Sequence, residues 1–143
     1  PGIYAPDREG GTPRGRLLQG TPVLAPADDV FTNHIHADDL ARACVAALWK
    51  GRPQRAYNVS DASHMKMGDY FDLAADLYGL PRPPRVPRST AQEQLSLMLL
   101  SFMGESRRLD NRRMLQELGV RLHYPSVAQG LQGLRVAGVA AGA

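Results

Sequence analysis

The chain has 143 residues, of which 43% are hydrophobic and 22% are charged, and its formal net charge is +3. This length suits one compact domain, and the balanced composition excludes a disordered chain. The small positive excess does not by itself indicate nucleic-acid binding, and no apolar run approaches the roughly 20 residues that a membrane helix needs.

The N-terminal part predicts short elements separated by turns. Residues 1–6 are expected to contain the end of a strand, followed by a short helix over 14–19 and a short strand over 22–24. The abrupt start at Pro1, without an initiator methionine, suggests a piece of a longer chain.

Residues 31–51 are the most informative stretch. Alternating side chains predict a strand over 31–36, and a helical period begins at Asp39. Asp38 and Asp39 favour a helix N-terminus, and Gly51 favours its end. Because the chain has a single cysteine, no internal disulfide is possible, and a reducing cytoplasm is expected. The helix should bury that thiol within one apolar stripe against the sheet, formed by Leu40, Ala43, Cys44, Ala47 and Leu48.

The following segment predicts a second strand over 56–60 and an amphipathic helix that begins near Met67 and ends at Gly79. Prolines interrupt residues 80–88, which are therefore expected to be an extended connector.

The last part of the chain is expected to be helical, with a fraying tail over 136–143. Ser89 and Gln92 form a predicted capping box, Asp110 is expected to cap a helix that ends at Gly119, and Ser126 begins the last helix. The helix after Ser89 should bury one stripe, formed by Leu95, Met98, Leu99, Phe102 and Met103.

Two groups of arginines allow alternative interpretations. The connector group is more typical of a solvated loop than of a proline-rich ligand or a phosphate contact, and comprises Arg82, Arg85 and Arg88. The second group suits phosphate or carboxylate binding as well as it suits a solvated helix start, and comprises Arg107, Arg108, Arg112 and Arg113.

His34, His36 and Asp38 have the H-x-H-x-D spacing that resembles zinc hydrolases of the metallo-β-lactamase type. That family places a histidine where this chain has Asp39, and glycines where this chain has an alanine-rich helix. Structural or substrate-facing histidines are therefore the favoured interpretation, and no metal site is expected.

Several motifs in one order resemble the C-terminal half of an extended short-chain dehydrogenase/reductase, the group of NAD-dependent epimerases and dehydratases. They are P-G-I-Y-A-P over 1–6, F-T-N-H-I-H-A-D-D-L-A-R-A over 31–43, A-Y-N-V-S over 56–60, D-N-R-R-M-L-Q-E-L-G-V over 110–120 and Y-P-S-V-A-Q-G-L over 124–131. The resemblance implies an α/β fold over 1–143, the C-terminal part of a Rossmann-type domain with a small mixed α/β substrate-binding lobe.

The resemblance also implies site residues. Backbone at the nicotinamide end of an NAD or NADP cofactor would be Pro1, Gly2 and Ile3, and Asp39 would have a structural role at its helix N-terminus. Residues facing a small-molecule substrate would be Thr32, Asn33, His36, Arg107 and Arg108.

Two departures argue against a nucleotide-sugar substrate. Sugar-nucleotide members grip the diphosphate with arginines where this chain has Thr32 and Leu100. Each lost charge-assisted contact is worth roughly 1.5–3 kcal/mol. A small carbonyl or alcohol compound is therefore the expected substrate.

Part of the family's chemistry is missing from the chain. Neither the glycine-rich loop that cradles the pyrophosphate nor a Tyr-x-x-x-Lys pair occurs, so no catalytic residue is assigned. The chain alone is expected to be inactive, and the enzyme activity would belong to a parent protein. The alternative is a non-catalytic remnant or binding module.

Overall fold

The computed structural model describes residues 1–8 and 10–132. The strands are β1 (Gly2–Tyr4), β2 (Val23–Leu24), β3 (Phe31–Thr32), β4 (His34–His36), β5 (Met65–Lys66) and β6 (Arg85–Val86). The helices are α1 (Arg14–Leu18), α2 (Ala37–Lys50), α3 (Met67–Tyr78), α4 (Arg88–Gln94), α5 (Leu97–Phe102) and α6 (Arg112–Gln116), and residues 127–132 are also helical.

The strands associate in pairs, and their directions bring distant parts of the chain together. The β1–β4 and β2–β6 pairs are parallel, and the β3–β5 pair is antiparallel. Helix α3 packs against both α1 and β2, and buries Tyr70, Phe71 and Ala74 in the largest apolar cluster. No helix in the described part of the chain combines the length and apolar character needed to cross a membrane.

The predictions for α1, β2 and α3 are confirmed to within a residue or two at their ends. Helix α3 ends at Gly79, whose φ of 66° is the left-handed conformation that glycine adopts without strain. The last helix begins after Ser126, whose Oγ accepts a hydrogen bond from the Gln129 N–H, as the sequence predicted. The predicted frayed tail over 136–143 lies outside the described residues.

Helix α2 has the predicted bounds but buries a different face. Ala43 is buried against Met114 and Leu118, whereas Leu48 is 81% exposed and Cys44 is exposed. The predicted burial is confirmed for Ala43 and wrong for Cys44 and Leu48, while Leu40 and Ala47 are half-buried. The helix approaches its neighbours through small alanine side chains, and the larger side chains turn outward.

Residues 56–60 form no strand, in contrast to the prediction. The nearest backbone link to the sheet is a single hydrogen bond, from the Asp61 N–H to the His34 carbonyl. A strand needs a ladder of such bonds, so this segment does not join the sheet. Instead, Tyr57 and Val59 pack against the apolar cluster around Met114.

The long helix predicted after Ser89 is two short helices. The break falls between α4 and α5, where the Ser96 side chain accepts a hydrogen bond from the Leu99 N–H and starts a new helix. The capping box at Ser89 is absent, because α4 begins one residue earlier without a side-chain cap. Met103 is buried as predicted, but Met98 and Phe102 are exposed because the break rotates α5 away from the predicted stripe.

The connector is extended over 80–87 as predicted, whereas Arg88 already begins α4, and the connector is not simply solvated. Arg85 ion-pairs with Asp72 at 2.8 Å and Asp29 at 3.3 Å, and Arg88 donates to the Met103 carbonyl at 2.9 Å. The connector therefore fastens α3 and α5 to β2, which assigns these arginines a structural role.

Candidate functional site

The strand-to-helix junction at the end of β4 is built by residues close in sequence. Strand β1 lies parallel to β4, with Gly2 opposite His34 and Tyr4 opposite His36. The Nδ1 of His36 accepts a hydrogen bond from the Asp38 N–H at 3.2 Å and caps the following helix. In parallel α/β sheets, ligands bind at such carboxyl ends of strands, so this junction is the place to look for a site.

Both histidines of the H-x-H pair are buried under aromatic rings. The His34 ring stacks on Tyr70 at 4.2 Å, and the His36 ring stacks on Tyr124 at 3.8 Å between centroids. Burial lowers the pKa of His34 to about 4, so its imidazole is neutral at pH 7. In residues 1–8 and 10–132, no group of histidine, cysteine and acidic side chains is arranged to hold a metal ion.

Asp39 ties the C-terminal segment to α2. Its fully buried carboxylate accepts hydrogen bonds from the backbone N–H groups of His123 at 2.9 Å and Tyr124 at 2.8 Å. Arg42 donates to the same carboxylate at 3.0 Å. Asp39 therefore has a structural role through the 123–124 backbone, and it thereby fixes the Tyr124 ring against His36.

Asp61 is a second buried carboxyl group near the junction. Its Oδ1 accepts from the Ser63 N–H at 2.8 Å, whereas its Oδ2 has no hydrogen-bond partner among the described residues. Burial raises the pKa of Asp61 to about 7, and the nearby charge of Asp39 adds to the shift. Sequence reasoning missed Asp61 because nothing in the sequence indicates that an acidic residue at a turn will be buried.

A short segment over 106–109 runs beside β3 and is held there by Asn33. The Asn33 Nδ2 donates to the Arg107 carbonyl at 2.9 Å, and its Oδ1 accepts from the Leu109 N–H at 2.8 Å. Two further bonds join the backbone of Phe31 to the Ser106 hydroxyl and the Arg107 N–H. Asn33 thus brings the predicted arginine segment to the strand that carries Thr32.

Two positively charged side chains, one lysine and one arginine, lie close to the ring of Phe31. The Arg108 guanidinium lies 5.0 Å and the Lys66 ammonium 5.7 Å from the ring centroid, within the range of cation–π attraction. Neither cation forms an ion pair with a carboxylate in the described part of the chain. Arg107, by contrast, pairs with Glu105.

The structure brings some of the sequence-predicted residues together and separates others. Thr32, Asn33, Arg107 and Arg108 meet along β3, and the buried Oγ1 of Thr32 has no hydrogen-bond partner among the described residues. His36 is buried as the helix cap. Of the other predicted arginines, Arg112 pairs with Asp110, and Arg113 donates to the Ala56 carbonyl.

Sequence reasoning missed Phe31 and Lys66 as members of this group. The antiparallel pairing of β3 with β5 places Lys66 directly opposite Phe31, although 34 intervening residues separate them in the chain. The sequence signal for this contact was weak, because β5 is only two residues long. A lysine opposite an aromatic residue becomes apparent only once the register is known.

The N-terminal end of β1 lies next to this group. The Gly2 N–H donates to the Asn33 carbonyl at 2.7 Å, and both Pro1 and Gly2 are exposed. A β-carbon at Gly2 would lie in ordinary contact with the His34 ring, 3.4 Å from its Cδ2. The backbone of Pro1 and Gly2 is therefore open to a ligand on the side away from His34.

No family model matches the chain, and no curated protein sequence matches it. Among solved structures, a functionally unknown conserved protein from Silicibacter pomeroyi is 34% identical, with a TM-score of 0.78 over 96% of this chain and 46% of that one. A human epimerase family protein solved with NADPH is 18% identical, with a TM-score of 0.74 over 94% of this chain and 46% of that one.

A nucleoside-diphosphate-sugar epimerase from Pseudomonas aeruginosa is 24% identical, with a TM-score of 0.72 over 96% of this chain and 44% of that one. The chain therefore spans slightly less than half the length of these structures. Its mixed α/β fold matches the C-terminal portion of Rossmann-type structures, as the sequence motifs implied. In fold, the chain thus matches the C-terminal part of an extended short-chain dehydrogenase/reductase of the NAD-dependent epimerase/dehydratase family.

Proposed function

We propose that this chain is the substrate-binding half of an NAD(P)-dependent oxidoreductase or epimerase/dehydratase-like enzyme. Residues 1–143 would form the C-terminal part of its Rossmann-like domain, and the substrate would be a small anionic carbonyl or alcohol compound. The structural neighbours solved with NADPH or NAD support a dinucleotide for the parent protein. The glycine-rich loop and the Tyr-x-x-x-Lys pair would come from outside this chain.

The observation that carries the proposal is the clamp between Asn33 and the 106–109 segment. Both polar ends of the Asn33 amide are used, at 2.9 Å and 2.8 Å, to hold backbone that bears Arg108. The half-buried amide of Asn33 thus holds an exposed arginine segment beside Thr32. Such preorganised positive charge suits recognition of an anionic group, since a guanidinium presents paired donors.

The cofactor side of the proposed site fits the open backbone at Pro1 and Gly2. When bound, a nicotinamide dinucleotide would supply the hydride chemistry that no side chain provides. Pro1, Gly2 and Ile3 would border its nicotinamide end, and the single hydrogen bond from Gly2 to Asn33 joins this border to the Arg108 segment. The substrate's anionic end and its reacting end would therefore lie on the two sides of Asn33.

The predicted substrate residues take different roles in this proposal. Thr32 borders the 106–109 segment, but its Oγ1 is buried, so a substrate hydroxyl could meet it only after the Thr32 side chain turns outward. Asn33 is a positioning residue, since its amide is fully engaged by backbone. His36 would act indirectly, because its Nδ1 caps the start of α2. Thr32 and Leu100, in place of two arginines, disfavour a nucleotide-sugar.

Replacing Arg108 by alanine in the complete gene product is expected to raise KM for an anionic substrate by about tenfold or more. The reason is that one charge-assisted contact is worth roughly 1.5–3 kcal/mol. The dissociation constant of NAD(P) should stay unchanged, because the cofactor phosphates would bind outside this chain. Steady-state kinetics with a panel of small carbonyl and alcohol compounds, with and without an acidic group, measures the first quantity, and dinucleotide titration measures the second.

Arg112→Ala is the matched control, because Arg112 is similarly exposed but pairs with Asp110. An unchanged KM for every anionic compound in the Arg108→Ala variant would contradict the proposed role of this cluster. Tight binding of a nucleotide-sugar would contradict the proposed substrate class.

A further inference from the structure

The outward side of α2 carries a row of large apolar side chains. Val45, Leu48 and Trp49 are 57%, 81% and 85% exposed. Their spacing of three and four residues places them next to one another on one side of the helix. A single exposed apolar side chain is ordinary, whereas a contiguous patch of such side chains is typical of an interaction surface. The outward side of α2 is therefore a candidate surface for a partner.

A groove lies between this side of α2 and the segment that follows α6. Val45 and Trp49 line it from the helix, and Leu118 and Val120 line it from the segment. Leu118 and Val120 are buried in the apolar cluster around Met114, so the core of the protein fixes this part of the lining. The groove has a volume of about 520 Å³. It is thus formed before any partner binds, and it has room for an inserted side chain.

The charged residues that line the groove are all basic. They are Arg42, Lys50 and Arg121, and no acidic side chain of the described residues lines it. The Lys50 Nζ lies beside the segment after α6, 3.1 Å from where a β-carbon on Gly119 would stand. Arg42 pairs with a carboxylate of its own helix, whereas in the part of the chain that the structure describes no carboxylate pairs with Lys50 or Arg121. The groove therefore combines an apolar lining with an excess of positive charge.

We infer that this groove docks an acidic peptide segment of a partner protein, which inserts an apolar side chain beside Trp49. Tryptophan and arginine are among the residue types that carry most of the binding energy at protein interfaces. Acidic side chains of the segment lie against Lys50 and Arg121, which speeds association and fixes the orientation of the segment. The groove shares no lining residue with the site around Asn33, so this inference is independent of the proposed function.

A second copy of the chain and a lipid surface fit the groove less well. A two-fold symmetric dimer places a surface against itself, so Lys50 and Arg121 would meet the same cations of the other copy. An anionic bilayer would attract these cations, but a flat lipid surface does not fill a groove whose lining residues Leu118 and Val120 are buried. An acidic peptide segment matches both the shape and the charge.

The test uses the complete gene product and two short synthetic peptides of equal length. Both carry leucine at helical spacing, and the remaining positions are all glutamate in one peptide and all lysine in the other. Fluorescence anisotropy of the labelled peptides measures the dissociation constants. The glutamate peptide is expected to bind saturably and at least about tenfold more tightly than the lysine peptide. Trp49→Ala and Arg121→Glu should each weaken its binding by about tenfold or more.

Leu97→Ala is the matched control for Trp49→Ala. Leu97 is 86% exposed on α5 and does not line the groove. Its replacement is expected to change the affinity for the glutamate peptide by less than about twofold. Thermal melting verifies that the variants fold. Sedimentation equilibrium and co-sedimentation with phosphatidylserine vesicles measure binding to a second copy and to a lipid surface.

The inference is overturned if neither peptide binds, if both bind equally, or if Trp49→Ala binds the glutamate peptide as Leu97→Ala does. Self-association that is lost in Trp49→Ala would assign the groove to a second copy. Vesicle binding that is lost in this variant would assign the groove to a lipid surface. Either of these outcomes would also overturn the inference of an acidic peptide partner.

Discussion

Replacing Asp39 by alanine is expected to lower the free energy of unfolding by about 3–5 kcal/mol, because it orphans several donors at once. The buried carboxylate is the acceptor for the backbone N–H groups of His123 and Tyr124, and for Arg42. The variant cannot replace these acceptors with water, since the position is fully buried. Chemical denaturation of the purified protein and of its Asp39→Ala variant measures this change in the free energy of unfolding.

Asp38→Ala is the matched control for this prediction. Asp38 is the preceding residue of the same helix turn, but its side chain is 67% exposed, and its Oδ2 lies 3.8 Å from the Nδ1 of His36. Its removal should cost less than about 1 kcal/mol. Equal losses for the two variants would mean that Asp39 contributes only helix-terminal charge, as the sequence suggested, and that the link to the 123–124 backbone is unimportant.

Replacing Asp61 by asparagine is expected to reveal a steep rise of stability with pH that the unmodified protein conceals. Two buried groups titrate differently in the folded and unfolded chain. The pKa of Asp61 is raised by burial to about 7 and that of His34 is lowered by burial to about 4. Their effects on the free energy of unfolding have opposite signs over the same pH range.

For Asp61, the folded state binds the proton more tightly than the unfolded state does. Its contribution to the free energy of unfolding is therefore full below about pH 4 and is lost as the pH rises through 7. For His34, the unfolded state binds the proton more tightly than the folded state does. Its contribution to the free energy of unfolding is therefore present above about pH 6.5 and is lost as the pH falls through 4. Each shift corresponds to as much as ~3–4 kcal/mol, so the two nearly cancel.

The unmodified protein should therefore show a nearly flat stability between about pH 4 and 6.5. Asp61→Asn keeps the acceptor for the Ser63 N–H but removes the titration, so its stability should rise by as much as ~3 kcal/mol over that range. His34→Gln should show the reverse slope. Denaturant titrations at a series of pH values test this, and parallel pH profiles for the three proteins would contradict the assignment.

Much of the fold follows from local patterns in the sequence. Local backbone chemistry defines the ends of several elements without any tertiary contact. Examples are the positive φ of Gly79, the proline-rich connector and the Ser126 cap. Strand β1 and helix α2 were predicted with nearly the observed bounds for the same reason. Such features act within a few residues, so the sequence alone displays them.

The errors arise where distant neighbours decide the outcome. Leu48 has the periodicity of a buried residue, but Ala43 is the residue that meets Met114, so Leu48 faces outward. Residues 56–60 have a strand-like composition but no ladder partner. Neither outcome is visible without knowing which surfaces meet.

The candidate site was predictable in its residue types but not in its arrangement. Arg108 was identified by charge and by family resemblance, whereas its separation from Arg107 depends on the Glu105 ion pair. Lys66 joins the group only through the register that places it opposite Phe31. The hydrogen bonds of the Asn33 amide to the backbone of residues 107 and 109 depend on a contact between distant segments that the sequence does not display.

We propose that Pro1, Gly2 and Ile3 border the nicotinamide end of a dinucleotide in the complete gene product. Titration of that protein with NADH and NADPH, followed by nicotinamide fluorescence, tests it directly. We predict saturable binding of at least one of the two dinucleotides, because the exposed backbone of Pro1 and Gly2 would border the nicotinamide end. Absence of binding of both would contradict this proposal and favour a non-catalytic binding module.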